Sequence, residues 1–507
     1  MRYLVSAEEM QALDRATIER IGIPGMVLME RAALAAAERV LSLVGEKRNA
    51  KVLILAGMGN NGGDGLALAR LLSERRMQVT VWCVGDETRA SEQWRMQRHM
   101  IEYYPVRVVS DAPEGDYDIL VDALFGVGLS REITGDYADA VACFNRMTGC
   151  KLALDVPSGI CSDTGKILGC VVRADETVTF GFAKRGLYLF PGCMYAGQVR
   201  LADVGITTRA FGDVVPHMFA TQPEDLARLL PVRRADGNKG TFGKVLLIAG
   251  SKGMAGAAVL GARAAYRVGA GMVKVLSDEG NRQIIQQSVP EALFGTYAEL
   301  GKSLDWADVI AMGPGMSVTE EAGRCLRTVL ETCWKPLLID ADGLNLLAAD
   351  ASLQDLLAAR DGVCILTPHM GEFSRLCGLS IKQLKERTWE HGCALAKRLR
   401  CVVVVKDART FVCGMDGTVC MNLYGNDGMA TAGSGDVLAG ILSGLLAQAA
   451  QSVPEVGSPQ EVYMFDTVCA GVYVHAAAGD AVRQERGRYG CMAGDIAEQA
   501  AAVLRQI

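Results

Sequence analysis

The chain has 507 residues, 50% of them hydrophobic and 22% charged, with a formal net charge of −6. At roughly 100–200 residues per domain this length suits more than one domain, and the composition suits a substantial core. The acidic balance argues against a nucleic-acid surface, which needs concentrated positive charge, and no uninterrupted apolar run is long enough for a membrane span.

The opening Met1-Arg2-Tyr3-Leu4-Val5-Ser6-Ala7-Glu8-Glu9 turns acidic before an apolar signal core forms. Lys51-Val52-Leu53-Ile54-Leu55-Ala56 reads as a buried strand, 57–65 as a glycine-rich loop, and 66–72 as the start of a helix. Further strands are expected at 79–84, 119–123 and 151–156. Strands alternating with helices argue for a parallel α/β sheet whose binding edge lies at the strands' carboxyl ends. The rhythm breaks over 207–231, where Pro216, Pro223 and Pro231 mark a linker. A second α/β series starts at Lys244-Val245-Leu246-Leu247-Ile248-Ala249 and continues through 272–276, 309–312, 337–340, 363–367 and 401–406. The helix after Gly435 is rich in Ala, Leu and Gly and suits a core position. The expected domains are therefore 1–215 and 221–507, with no shared motif order that would make them repeats. The 16 cysteines form no CxxC pair, and several, such as Cys393 and Cys401, sit in apolar stretches. Reduced core thiols in a cytoplasmic protein are expected, rather than zinc ligands or disulfides.

Gly57-Met58-Gly59-Asn60-Asn61-Gly62 matches GxGxxG between a strand and a helix, and Asp86 follows at the end of the next strand. Taken alone this is a dinucleotide fingerprint, although a tight strand-to-helix turn also uses glycine for its backbone angles. The continuation Asn60-Asn61-Gly62-Gly63-Asp64-Gly65 adds two amides and a carboxylate beside approachable backbone N–H groups. That set suits a phosphate-bearing ligand with a cation. Asp122 ends a strand and leads into Gly126-Val127-Gly128-Leu129-Ser130-Arg131, and Asp155 ends the next in Leu154-Asp155-Val156-Pro157-Ser158-Gly159. Any one such Asp is readily a loop cap, but three polar strand ends on one sheet edge point to a site.

The NNGGDG loop, the DALFGVGLSR segment and the LDVPSG segment together resemble the NAD(P)H-hydrate epimerase family over about the first two hundred residues. The resemblance implies a Rossmann-like three-layer domain. It implies that Asn60, Asn61, Gly62, Gly63, Asp64, Gly126, Val127, Gly128, Leu129, Ser130, Arg131, Glu132 and Asp155 bind the hydrated dinucleotide. It also implies a potassium ion near Asn61, Asp122 and Ser158, where oxygen ligands suit a hard cation.

The most specific string is Asn426-Asp427-Gly428-Met429-Ala430-Thr431-Ala432-Gly433-Ser434-Gly435-Asp436-Val437-Leu438-Ala439-Gly440. Free N–H groups at a glycine-rich helix start stabilise a transferring phosphoryl group, and Asp436 is placed to accept a proton from a hydroxyl nucleophile. An Asp there also serves helix-dipole stability alone. No Walker A loop is present, since Thr296 occupies the first glycine position before Gly301-Lys302-Ser303, and the protein-kinase motifs are absent. The GSGD-type anion hole resembles the ribokinase-like superfamily. Companion strings are Lys239-Gly240-Thr241-Phe242-Gly243-Lys244, Gly250-Ser251-Lys252-Gly253-Met254-Ala255-Gly256, Asp340-Ala341-Asp342-Gly343-Leu344-Asn345 and Thr367-Pro368-His369-Met370-Gly371-Glu372-Phe373.

Together these resemble the ADP- or ATP-dependent NAD(P)H-hydrate dehydratase family, from about Pro223 to the C-terminus. The resemblance places the hydrated nucleotide near Ala257, Gly315, His369 and Asp436. It places the adenine nucleotide, with Mg2+, near Lys406, Asp407, Ala408, Arg409, Thr410 and Gly435. Two positions depart from the family: Asp407 stands where a glycine is usual, and Ser434 replaces the commoner threonine.

The implied activity is repair of hydrated NADH and NADPH. Asp155 is the acid–base candidate for epimerising the R- and S-hydrates, and Asp436 the base for nucleotide-dependent dehydration of the S-hydrate, giving AMP and phosphate if ADP is the donor. The expected partners are the small-molecule hydrates and ADP or ATP, with no nucleic acid and no membrane, in a homo-oligomer. The alternative is a vitamin-precursor kinase of the ribokinase-like superfamily fused to a non-catalytic dinucleotide-binding module. That kinase accumulates a phosphorylated product instead of restoring the reduced dinucleotide.

Overall fold

Short runs of branched apolar residues build both sheets, because a strand covered on two faces needs no polar alternation. The computed structural model describes residues 1–47, 49–212, 214–452 and 460–505. These form two units, Tyr3–Pro216 and His217–Ile507, the latter grouped with Met1–Arg2.

The N-terminal unit holds a seven-stranded sheet. Its strands are β1 (Lys51–Ala56), β2 (Gln78–Cys83), β3 (Arg107–Val109), β4 (Ile119–Ala123), β5 (Cys150–Leu154), β6 (Glu176–Phe180) and β7 (Gln198–Ala202). They run in the order β3-β2-β1-β4-β5-β6-β7, all parallel. Alternate residues of β1 serve opposite cores. Val52, Ile54 and Ala56 pack with Ala32, Ala33 and Ala36 of helix Gly25–Val44 and with Leu66 of helix Asn60–Glu74. Leu53 and Leu55 pack with Phe144 of helix Asp136–Arg146. The strand order reverses between β1 and β4, which opens a crevice at their carboxyl ends.

The C-terminal unit holds β8 (Met218–Ala220), β9 (Lys244–Ile248), β10 (Met272–Leu276), β11 (Leu293–Gly295), β12 (Val309–Met312), β13 (Leu337–Ile339), β14 (Cys364–Leu366), β15 (Val402–Val405), β16 (Phe411–Cys413) and β17 (Val419–Met421). Their order is β11-β10-β9-β12-β13-β14-β15-β16-β17-β8. Only the pairs β15–β16 and β16–β17 are antiparallel among the described strands of this unit. Helix Ser434–Gln451 is apolar all round and buried from Val437 to Ala449. It lies so close to helix Ala255–Arg267 that a Cβ on Gly440 would stand 2.3 Å from the Gly261 carbonyl oxygen.

Two sequence expectations change. Residues 60–65 are not loop: the helix begins at Asn60, and a Cβ on Gly62 would meet the Gly57 carbonyl oxygen at 1.8 Å, so glycine lets the first turn settle onto β1. The proline-marked stretch 207–231 is partly structured, with β8 and helix Leu226–Leu229 burying Phe219, Leu226 and Leu229. Pro223 is tolerated because it opens a helical turn, where its missing N–H would have no partner. Residue 213 of that stretch lies outside the described residues. Within the described residues no helix is long and apolar enough to cross a membrane, and all sixteen cysteines are free thiols.

Candidate functional site

The crevice of the N-terminal unit is a cavity of about 1520 Å³, above the roughly 300–1,000 Å³ of an ordinary ligand pocket and therefore roomy enough for a dinucleotide. Asn60, Asn61 and Asp64, from the first turns after β1, border it with Gly126, Val127, Gly128, Leu129, Ser130, Arg131 and Asp155. Gly59 and Gly128 have open space where a Cβ would stand, which leaves backbone free for close approach by a ligand. Gly62 and Gly63 lie behind this wall: a Cβ on Gly63 would meet the Met29 side chain at 2.7 Å. Glu132 is exposed and outside the wall. Asp86, beyond the end of β2, caps a helical turn through the Thr88 N–H.

Asp155 follows β5 with φ 64°, a left-handed conformation that Asp adopts more readily than most residues. Its carboxylate is a node. Oδ1 accepts from Lys184 Nζ at 2.5 Å, from Thr179 Oγ1 at 3.3 Å and from the Phe180 N–H at 3.4 Å. Oδ2 accepts from the Val127 N–H at 3.3 Å. Lys184 is buried and also donates to the Phe180 carbonyl at 2.7 Å. The sequence reading missed Lys184. Its signal was a single lysine closing the apolar run Phe180-Gly181-Phe182-Ala183, since a lysine is almost never buried without a partner. Asp14, from helix Ala7–Arg15, also borders the cavity and was missed.

Asp122, in β4, is fully enclosed. It accepts from the Ser158 N–H and Oγ, each at 2.7 Å, and from the Leu124 N–H at 3.1 Å. Burial outweighs these bonds and pushes its carboxyl up to about 6. Both amide atoms of Asn61 are buried with no hydrogen-bond partner among the described residues. A Cβ on Gly126 would lie 3.3 Å from both Asn61 Cγ and Asp155 Oδ2, so these side chains share one corner of the cavity.

The C-terminal unit gathers its polar groups at the carboxyl ends of β12 to β15. Lys406 follows β15, and its Nζ donates to Oδ1 of the buried Asp340 at 2.7 Å. A Cβ on Gly435 would stand 3.4 Å from that Nζ, so the pair faces the start of helix Ser434–Gln451. Asp436, in the first turn, has its carboxyl pushed up to about 6, first by burial and then by the charge of Asp340, with Lys406 opposing. His475 supports the turn, its Nε2 lying 3.0 Å from the Ser434 carbonyl oxygen, and burial lowers its ring to about 4. His369 caps helix Met370–Cys377: its Nδ1 accepts from the Gly371 N–H at 2.9 Å and its Nε2 lies 3.2 Å from Glu372 Oε1. Burial pushes Glu372 up to about 7. Ala257 meets Gly315, where a Cβ would stand 3.1 Å from its own. Asp407, Ala408, Arg409 and Thr410 form the turn between β15 and β16, with Asp407 Oδ2 3.1 Å from Lys385 Nζ. The sequence reading quoted Asp340 and Glu372 within motifs but assigned them no part in the site.

The family model described as NAD(P)H-hydrate dehydratase matches residues 245–501, and one described as YjeF-related protein N-terminus matches 25–186. A bifunctional NAD(P)H-hydrate repair enzyme of Moorella thermoacetica is 34% identical over 537 residues, covering 100% of this chain and 97% of its own. Another, of Thermofilum pendens, is 35% identical over 507 residues, covering 95% and 92%. A solved ribokinase-like superfamily protein of Enterococcus faecalis superposes with a TM-score of 0.50 at 28% identity, over 58% of this chain and 97% of that one. With both halves matched in one order along the whole chain, the protein belongs to the family of bifunctional NAD(P)H-hydrate repair enzymes.

Proposed function

We propose that this chain restores NADH and NADPH from their hydrates, the N-terminal unit interconverting the R- and S-epimers and the C-terminal unit dehydrating the S-epimer at the expense of ADP or ATP. The observation that carries the dehydratase reading is Asp436 at a glycine-rich helix start, facing the Asp340–Lys406 pair. The hydrate bears a hydroxyl at C6, next to the ring nitrogen. Asp436 takes the hydroxyl proton as the oxygen attacks the terminal phosphoryl group, and the amides of Gly433 to Gly435 hold the charge that develops. Phosphate is a better leaving group than hydroxide, so its elimination regenerates the dihydronicotinamide ring. With ADP as donor the products are AMP and phosphate. Lys406 and Gly435 lie together where the nucleotide's phosphates belong in this reading, and residues 407–410 extend that edge. Magnesium fits as an ion carried on the nucleotide, because such sites need only one or two protein carboxylates. Among the described residues no three His, Cys, Asp or Glu side chains are placed to hold a metal ion by themselves.

In the N-terminal unit Asp155 is the acid–base group of epimerisation. Asn61, with two buried and unpartnered amide atoms, and the buried Asp122–Ser158 pair offer oxygen ligands of the kind that fit potassium. An ion held by these residues would offset the charge of the substrate's phosphates. Sixteen free thiols fit a reducing cytoplasm. A homo-oligomeric state is part of the proposal and is read by light scattering. The test of the whole reading is incubation with mixed hydrate epimers plus ADP or ATP. Complete recovery of reduced dinucleotide absorbance with release of phosphate supports it. A stable phosphorylated product would instead identify a kinase.

A further inference from the structure

Of the carboxylates that line the cavity of the N-terminal unit, three, Asp14, Asp64 and Asp155, act on one another and on the buried cation Lys184. They come from separate places: Asp14 from the first helix, Asp64 from the helix after β1, Asp155 from the end of β5, and Lys184 from beyond β6. The cation is committed to Asp155 by a 2.5 Å hydrogen bond, and that carboxylate collects three further donors. No hydrogen bond reaches the Asp64 carboxylate among the described residues, although it borders the same cavity. Three neighbouring carboxylates that share one buried cation compete for it, and a proton is held best by the carboxylate with fewest donors.

We propose that epimerisation uses two groups on this wall, Asp155 as the base, positioned by Lys184, and Asp64 as the acid. The inference rests on the epimerase reading above. Burial, followed by the charges of Asp155 and then Asp14, raises Asp64 well above the ordinary carboxyl range, with Lys184 opposing weakly. Asp14 is raised too, but for it Lys184 is the second influence after burial. A carboxyl without donors beside one held by a lysine and three further donors is an arrangement that suits one acid and one base. Asp155 takes the C6 hydroxyl proton, and the O–H electrons become the second bond of a C6 carbonyl. The C6–N1 bond breaks, its electrons pass to N1, and N1 takes the Asp64 proton. Rotation about C5–C6 presents the other carbonyl face, and closure returns each proton to its donor. Atoms and charge balance without a co-reactant.

The experiment follows conversion of purified R-hydrate to S-hydrate by the full chain, without nucleotide, by chromatography across pH. Asp64→Asn is expected to lower kcat about 10²–10⁴-fold with KM near wild type, and to remove the alkaline limb of the pH profile. Near-normal KM shows that the site is folded and binds. Lys184→Met is expected to lower kcat with KM near wild type, because the base has lost the hydrogen bond and counter-charge that hold it. Lys184→Arg, which keeps the charge, recovers part of the rate. Wild-type turnover with an unchanged alkaline limb in Asp64→Asn overturns the proposal. So does a loss found in Asp14→Asn but not in Asp64→Asn, which moves the acid to the first helix. A wild-type chain that does not interconvert the epimers refutes the epimerase reading itself.

Discussion

Replacing Asp436 with Asn keeps the shape of the helix start and removes the base. Its carboxyl is held at about 6 by burial and by Asp340, so at neutral pH it is mostly ionised and ready to accept a proton. Losing one positioned base lowers rate about 10²–10⁴-fold, or about 2.7–5.4 kcal/mol of barrier. The assay uses purified S-hydrate with saturating ADP and magnesium and follows the return of reduced dinucleotide. In the wild type, kcat/KM for the hydrate should rise with pH through a limb near 6, because the base acts ionised and its proton is lost in that range. Lys406 lowers this carboxyl's proton affinity, so Lys406→Met should move the limb to higher pH, read at saturating nucleotide. Near-normal turnover in Asp436→Asn, or a wild-type profile flat through the acid range, would show that Asp436 only complements the helix dipole.

Asp155→Asn should leave S-hydrate dehydration intact, so an equal epimer mixture should react quickly to half completion and then at the uncatalysed epimerisation rate. A single complete phase, at an enzyme level where wild-type epimerisation is limiting, makes Asp155 a structural cap. Replacing potassium with a bulky organic cation should slow epimerisation and lower the melting temperature of the wild type, because an ion that binds the native state stabilises it. Asn61→Ala should lose that thermal response, and an undiminished response excludes Asn61 as a ligand. Gly440→Ala forces a Cβ to 2.3 Å from the Gly261 carbonyl oxygen, and the overpacking should cost about 1–3 kcal/mol. Calorimetry should show a lower melting temperature for the C-terminal unit, and an unchanged one would mean that the helix pair separates freely.

The sequence by itself determined the strands that lead into the sites and the glycine-rich segments that follow them. Residues 52–56 and 309–312 are continuous apolar runs, and such local patterns need no knowledge of their neighbours. The motifs around Asn61, Asp155 and Asp436 were legible for the same reason, since a strand-to-helix turn is encoded within a dozen residues. Its helix boundary was not: Asn60–Gly65 reads as loop by composition, and only the seating of Gly62 against Gly57 makes it helix. Tertiary structure alone decided which side chains meet. Lys184 reaches Asp155 because β6 lies beside β5, and Lys406 reaches Asp340 across 66 residues because β13, β14 and β15 are neighbours. The strand order of a parallel sheet is a global choice among pairings of similar local strength. The charges that share its carboxyl edge, and hence their proton affinities, are therefore set only when the sheet is assembled.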